Sequence, residues 1–183
     1  AVITETQRLK NGLNIDINEA RLSAGFQTDF VLKKLSLTHV VSSAINTQKT
    51  AFIQRNIYPA ISIPEEMMII SDEKWLAFMI EQLLTNSLKY SYSEGKIDVT
   101  AIAHEETIQL MMTDYGVGIP ASDLPRVKRP FFTGENGRKF GEATGMGLYL
   151  VSQVAEGLDI QLQIDSIFGQ GTTVTLVFPK IKQ

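Results

Sequence analysis

Hydrophobic positions along the chain fall into blocks of helical and of strand period. Ile3, Leu9, Leu13, Ile17 and Leu22 form one narrow apolar stripe over residues 1–25, a helix that Gly25 would end. Phe30 to Leu32 suggests a short strand. Over Ser36 to Gln54, Leu37, Val40, Val41, Ala44 and Ile45 recur at helical spacing, with Ser36 or Thr38 as cap. Ile57–Ile63 and Met67–Ile70 have strand character and are separated by Pro64. A second helix starts near Ser71-Asp72-Glu73, and Leu76, Ile80, Leu83, Leu84 and Leu88 supply its buried face. Ile97–Ala103 and Thr107–Asp114 alternate on either side of Glu105-Glu106, a hairpin. A short helix at Asp123–Val127 and a third long helix at Gly145–Gly157 follow. Asp159–Ile167 and Thr172–Phe178 make a last hairpin that turns at Gly169-Gln170-Gly171. The pattern predicts an α/β sandwich (α+β): a mixed, mostly antiparallel sheet covered on one face by helices.

Polar residues depart from this background in two places. On the second helix Gln82, Asn86, Lys89 and Tyr90 are spaced i, i+4, i+7 and i+8, one stripe opposite the leucines. An amide oxygen is a hard ligand acceptable to Mg²⁺, and an ammonium is a point charge for phosphate. A solvated helix face would carry the same residues. Two glycine clusters, Asp114-Tyr115-Gly116-Val117-Gly118-Ile119-Pro120 and Gly141-Glu142-Ala143-Thr144-Gly145-Met146-Gly147-Leu148, bracket a basic, aromatic segment. Within 126–139, Arg126, Lys128, Arg129, Arg138 and Lys139 face the single acid Glu135. Either cluster alone is an ordinary turn; as a pair they suit backbone closing over a ligand.

Composition narrows the classes. With 183 residues, 44% hydrophobic and 20% charged, the chain is long enough for one full core. A formal charge of −3 argues against a nucleic-acid partner. No cysteine is present, which excludes disulfides and thiolate metal sites. No apolar run approaches a bilayer span of roughly 18 residues, and no signal peptide is visible. There is no G-x-x-x-x-G-K-[ST], no G-x-G-x-x-G and no H-E-x-x-H. Asp114-Tyr115-Gly116 mimics a protein-kinase D-F-G but lacks the accompanying kinase motifs.

Five blocks in order resemble the catalytic ATP-binding domain of sensor histidine kinases. Glu81-Gln82-Leu83-Leu84-Thr85-Asn86-Ser87-Leu88-Lys89-Tyr90 resembles the N box, and Asp114 to Pro120 the G1 box. Arg129-Pro130-Phe131-Phe132-Thr133-Gly134 resembles the F box, Gly145-Met146-Gly147-Leu148 the G2 box, and Gly169-Gln170-Gly171-Thr172 the last glycine turn. The wording around Thr133 to Arg138 is similar to Gram-positive kinases that sense bacitracin and antimicrobial peptides beside an ABC transporter.

The resemblance implies the Bergerat (GHKL) fold and a site for ATP and Mg²⁺. Asp114 would accept a hydrogen bond from the adenine amino group, with Gly116, Gly118 and Ile119 passing close to the base. Asn86 would hold Mg²⁺ and Lys89 would sit near the phosphates, the two residues carrying catalysis; Tyr90 would lie near base or ribose. Gly145, Met146, Gly147 and Leu148 would open a helix towards phosphate oxygens. Thr172 would bring a hydroxyl to the base. Residues 119–144 would form a lid over ATP, with Arg138 and Lys139 reaching the phosphates and Phe132 anchoring it.

Related hydrolytic ATPases place an acid four residues before the Asn; here that position is Gln82, which cannot act as a base. A kinase instead needs a histidine nucleophile. His39 and His104, the two histidines present, lack an acceptor context. The resemblance therefore implies residues 1–29 as the tail of a dimerisation helix and linker, 30–183 as the ATP-binding catalytic domain, and an acceptor histidine upstream on the dimerisation domain. It further implies a homodimeric, two-component signalling protein of the bacterial cell membrane with this domain in the cytoplasm. ATP/ADP, a response regulator and an ABC transporter would be its partners. A hydrolytic ATPase of the same fold, or an interaction domain without catalysis, are the alternatives.

Overall fold

The computed structural model describes residues 30–92, 94–129 and 147–182. The chain divides into two units, Ala1–Phe30 and Val31–Gln183, and every strand and helix from Leu32 onward belongs to the second. The expected helix over 1–25 lies outside the described residues.

Strand β1 is Leu32–Ser36, two residues later than the apolar run at Phe30 suggested. It pairs antiparallel with β3, Met68–Asp72, in a separate two-stranded sheet. Only Leu35 is buried in β1, so this ribbon is set by pairing rather than by hydrophobic pattern. The expected helix over 36–54 is two helices. Helix α1, Leu37–Thr47, is capped by the Ser36 hydroxyl, which accepts from His39 N at 3.2 Å. Helix α2, Lys49–Arg55, ends at Asn56 in the left-handed conformation, φ 50°. The break falls at Gln48, whose side-chain amide donates to Glu81 O (2.7 Å) and Thr85 Oγ1 (2.9 Å) of the next helix. A tertiary contact thus interrupts a pattern that local propensity would carry through.

Helix α3, Glu73–Tyr90, is the central element. Asp72 caps it by accepting from Trp75 N at 2.9 Å, and its other carboxylate oxygen accepts from Val31 N at 2.8 Å. Trp75, Leu76, Met79, Ile80, Leu83, Leu84 and Leu88 are buried along it. The main sheet has the order β2-β4-β5-β7-β6, with β2 Tyr58–Ser62, β4 Lys96–Ala103, β5 Thr107–Asp114, β6 Gln161–Ile167 and β7 Gly171–Pro179. Among the described strands of this sheet β2–β4 is parallel and the other pairs are antiparallel. The inward row of the central strands is apolar: Ile97 and Val99, Ile108, Leu110 and Met112, then Val174, Leu176 and Phe178 are all buried. Helices α3 and α4, Gly147–Gly157, pack against each other and onto that sheet, and α1 packs on α3. A 3₁₀ turn at Leu124–Arg126 replaces the short helix expected at Asp123–Val127.

Asp72 joins β1 to the start of α3 through two backbone amides. Asp72→Ala should leave a buried amide unpaired as well as an uncapped helix, costing about 2–3 kcal/mol. Urea denaturation of the two proteins checks this, and a loss below the error of the extrapolation would contradict it.

Candidate functional site

The carboxyl end of α3 is spliced to the glycine segment that follows β5. Val117 N donates to Tyr90 O at 3.0 Å. The backbones meet so closely that a Cβ on Gly116 would lie 2.0 Å from Tyr90 O and 2.7 Å from Ser91 Cα. On the other side, Gly169 N donates to Val117 O at 2.6 Å, and Ile119 N donates to Ser166 Oγ at 2.7 Å. Gly118 has φ +71° and abuts Ile167, where a Cβ would come within 2.2 Å of the carbonyl oxygen. The segment 116–119 is therefore held between the end of α3 and the β6–β7 turn.

Asp114, the last residue of β5, is buried, 5% exposed. In the sheet register it faces Thr172 of β7, which faces Ser166 of β6. The three side chains form one row at the end of the sheet, on the face that carries the core. Asp114 Oδ1 accepts from Gly116 N at 3.0 Å. Its carboxyl titrates above the usual carboxylate range because burial disfavours the charge; the amides of Gly116 and Thr172 pull it partly back. Next in sequence, Tyr115 turns away. Its hydroxyl donates to Asp98, Lys96 Nζ lies 5.4 Å from its ring, and it is 50% exposed.

The polar stripe of α3 faces the same region. Gln82 reaches the start of α4: a Cβ on Gly147 would lie 3.3 Å from Gln82 Oε1. Two turns later Tyr90 meets Val117. Asn86 lies between them on the stripe, between the contact with Gly147 and the contact with Val117. Asn86, Lys89 and Tyr90 are all half-buried. Lys89 Nζ is 5.8 Å from the Tyr90 ring centroid, and burial pushes the Tyr90 phenol above its ordinary range. Glu81 leaves the stripe. Burial raises its carboxyl, which the Thr47 side chain hydrogen-bonds on the α1 side, so Glu81 does not take the place of Gln82. His39 and His104 are exposed, at a helix start and beside the β4–β5 turn.

The structure thus brings Tyr90, Asp114, Gly116, Gly118, Ile119 and Thr172 into one cluster, with Gly147 joined to it through α3 and Leu148 half-buried on the first turn of α4. Phe132, Arg138, Lys139, Gly145 and Met146 lie outside the described residues. Ser166 is the member that sequence reasoning missed. It occupies an inward position after Leu162 and Ile164, and that single polar break in the alternation was the available signal. Among the described residues no group of three or more His, Asp or Glu could hold a metal ion.

Gly118 and Gly169 separate strain from collision. Both have positive φ, +71° and +86°, but a Cβ on Gly169 would meet nothing within 4 Å. Gly169→Ala should cost about 1–2 kcal/mol, the left-handed penalty alone. Gly118→Ala must also displace Ile167 and should cost at least about 3 kcal/mol. Equal losses on thermal denaturation would show that the close approach carries no energy.

Residues 71–182 match the family described as Histidine kinase-, DNA gyrase B-, and HSP90-like ATPase. The chain is similar to sensor histidine kinase YxdK of Bacillus subtilis, 38% identical over 175 residues, 95% of this chain and 54% of that protein. It is 34% identical over 180 residues to sensor histidine kinase GraS of Staphylococcus epidermidis, 98% of this chain and 51% of that protein. It therefore spans about half the length of the curated relatives it matches. Its fold is that of the Acinetobacter baumannii histidine kinase AdeS, with TM-score 0.80 at 16% identity over 98% of this chain and 82% of that one. A buried acid beside a glycine segment, an amide-bearing helix and a glycine-led helix start accord with the sequence match across the same residues, and the chain belongs to the Histidine kinase-, DNA gyrase B-, and HSP90-like ATPase family.

Proposed function

We propose that this chain is the ATP-binding catalytic domain of a two-component sensor histidine kinase. It would present the γ-phosphate of ATP to a histidine on a dimerisation domain. The observation that carries this reading is the buried Asp114 carboxylate set beside Thr172 at the mouth of a glycine-lined segment. A buried carboxylate beside a hydroxyl that can accept fits the exocyclic amino group of adenine better than it fits any anionic group. The relatives named sensor histidine kinases support the transfer reaction over hydrolysis, and so does Gln82, an amide where an activating acid would stand.

In this reading Asp114 fixes the base and thereby the direction in which the phosphates leave it. Gly116 and Gly118 keep the backbone near the ring without a side chain in between. Tyr90 closes the base or ribose side. Lys89 offsets phosphate charge, and the amides at the start of α4 meet phosphate oxygens with the favourable end of the helix dipole. Asn86 would hold Mg²⁺, which when bound neutralises charge developing on the transferred phosphoryl group. A single amide oxygen fits such an ion, because Mg²⁺ keeps waters and phosphates as its remaining ligands. Ile119 would pass close to the base, Met146 and Leu148 would open the helix towards the phosphates, and Arg138 and Lys139 would reach the phosphates from a lid over 119–144 that Phe132 anchors. The whole protein would be a homodimer of the bacterial cell membrane with this domain in the cytoplasm. It would pass phosphate to a response regulator and work beside an ABC transporter.

Base and metal recognition should fail separately. Asp114→Asn loses a charged acceptor worth roughly 1.5–3 kcal/mol, so affinity should fall by about one to two decades, equally for ADP and ATP and with or without Mg²⁺. Asn86→Ala should weaken Mg-ATP while leaving metal-free ADP nearly unchanged. Calorimetric titration of both variants in Mg²⁺ and in EDTA decides; normal nucleotide binding by Asp114→Asn would sink the assignment.

The raised Asp114 carboxyl gives a pH dependence with a definite sign. Adenine needs the ionised form, so affinity should be full above the folded-state pKa and fall as pH drops through it, beginning at a higher pH than an ordinary carboxylate would allow. The same raised pKa favours the empty fold in the opposite sense. Its stabilising contribution is complete below the unfolded carboxylate pKa and is lost as pH rises through the folded value. Titrations of ADP across the acid range should show this slope in the wild type and not in Asp114→Asn. A slope that survives in the variant would assign the titration to another group.

A further inference from the structure

Ser166 carries three contacts with a single proton to dispose of. Its oxygen accepts from Ile119 N at 2.7 Å, stands 2.9 Å from the Gly171 carbonyl oxygen, and stands 2.8 Å from Thr172 Oγ1. A carbonyl only accepts, whereas a hydroxyl both donates and accepts. If Ser166 donates to Gly171 O, Thr172 must donate to Ser166, and all three contacts are hydrogen bonds. If Ser166 donates to Thr172, its contact with Gly171 sets lone pair against lone pair. The first arrangement satisfies every group and is the one a half-buried network adopts. The Thr172 proton is then committed to Ser166, and the hydroxyl presents only lone pairs to the space beside Asp114.

We infer that Ser166 is a positioning residue that holds Thr172 as an obligate acceptor and so makes the pocket selective for 6-aminopurine over 6-oxopurine nucleotides. The inference rests on the adenine-nucleotide reading of the site. Asp114 alone does not discriminate. A carboxylate accepts from the amino group of adenine and equally from the N1–H of a 6-oxopurine. A freely rotating threonine hydroxyl would not discriminate either, since it would turn to donate to the oxo group. A threonine whose proton is already spent meets that oxygen with lone pairs. The ligand then keeps an unpaired acceptor in a site built to accept, a mismatch that binding sites reject strongly. The same hydroxyl that braces Ile119 therefore also sets which purine fits.

The test compares ATP with inosine 5′-triphosphate, which differs only at the purine 6-position and N1, by calorimetry on the 183-residue chain. The wild type should prefer ATP by about tenfold or more. Ser166→Ala frees the Thr172 rotor, so the preference should shrink several-fold, mainly through tighter binding of the inosine nucleotide relative to ATP. Ser166→Thr keeps a hydroxyl and should restore the preference. Thr172→Val removes the acceptor while leaving the Ser166 bonds to Ile119 and Gly171, and should also shrink the preference. If Ser166→Ala weakens both nucleotides by one common factor, Ser166 only braces the loop and the inference is wrong. An undiminished preference in Thr172→Val overturns it independently, even if Ser166→Ala does not fold. Failure of the wild type to bind either nucleotide overturns the adenine reading itself, a result distinct from binding both without preference, which overturns the role of Ser166.

Discussion

The site depends on one close approach of backbone to backbone. Gly116 lies against Tyr90 and Ser91 at a distance no side chain could share, and the Val117–Tyr90 hydrogen bond locks the contact. The polar residues of the cluster are referred to that splice. It ties the last turn of α3, with its amide and ammonium, to the end of β5, with its carboxylate. The β6–β7 turn then closes on the other side through Gly169 and Ser166. A helix face and a strand end separated by more than twenty residues thus become one rigid surface.

Burial of Asp114 is the cost that this arrangement carries. A carboxylate with two amide donors and little solvent is held at the expense of the empty fold, and a ligand that supplies further donors relieves it. Binding and stability are therefore coupled through a single group: ligand occupancy should stabilise this domain by mass action on top of the relief of that charge. Tyr115 illustrates the opposite solution. One residue on, it faces the open side of the sheet, where Asp98 and Lys96 surround it in solvent and no such cost arises.

Much of this was legible in the sequence, for physical reasons that differ by element. Helix α3 and the β4–β5 hairpin followed directly from their hydrophobic periods, because each buries one face in a single core. The break between α1 and α2 was not legible: no glycine or proline marks Gln48, and its side-chain capture by α3 is a tertiary event. Strand β1 was displaced for a similar reason, since Lys33 and Lys34 are held by pairing with β3 and not by burial. Within the site, glycine spacing and the polar stripe pointed to the residues that converge. Ser166 could be found only once the register placed it opposite Thr172.

That register has a further consequence. Asp114, Thr172 and Ser166 are aligned by ladder hydrogen bonds between three strands, not by loops, so their spacing is the fixed repeat of a sheet. A slip of one residue between β5 and β7 would turn Thr172 to the opposite face and leave Asp114 without its neighbour. A misregistered chain would thus lose the Asp114–Thr172–Ser166 row in the same event that exposed its core. On the adenine-nucleotide reading proposed above, nucleotide would bind only the correctly paired sheet and so draw the folding population towards that register.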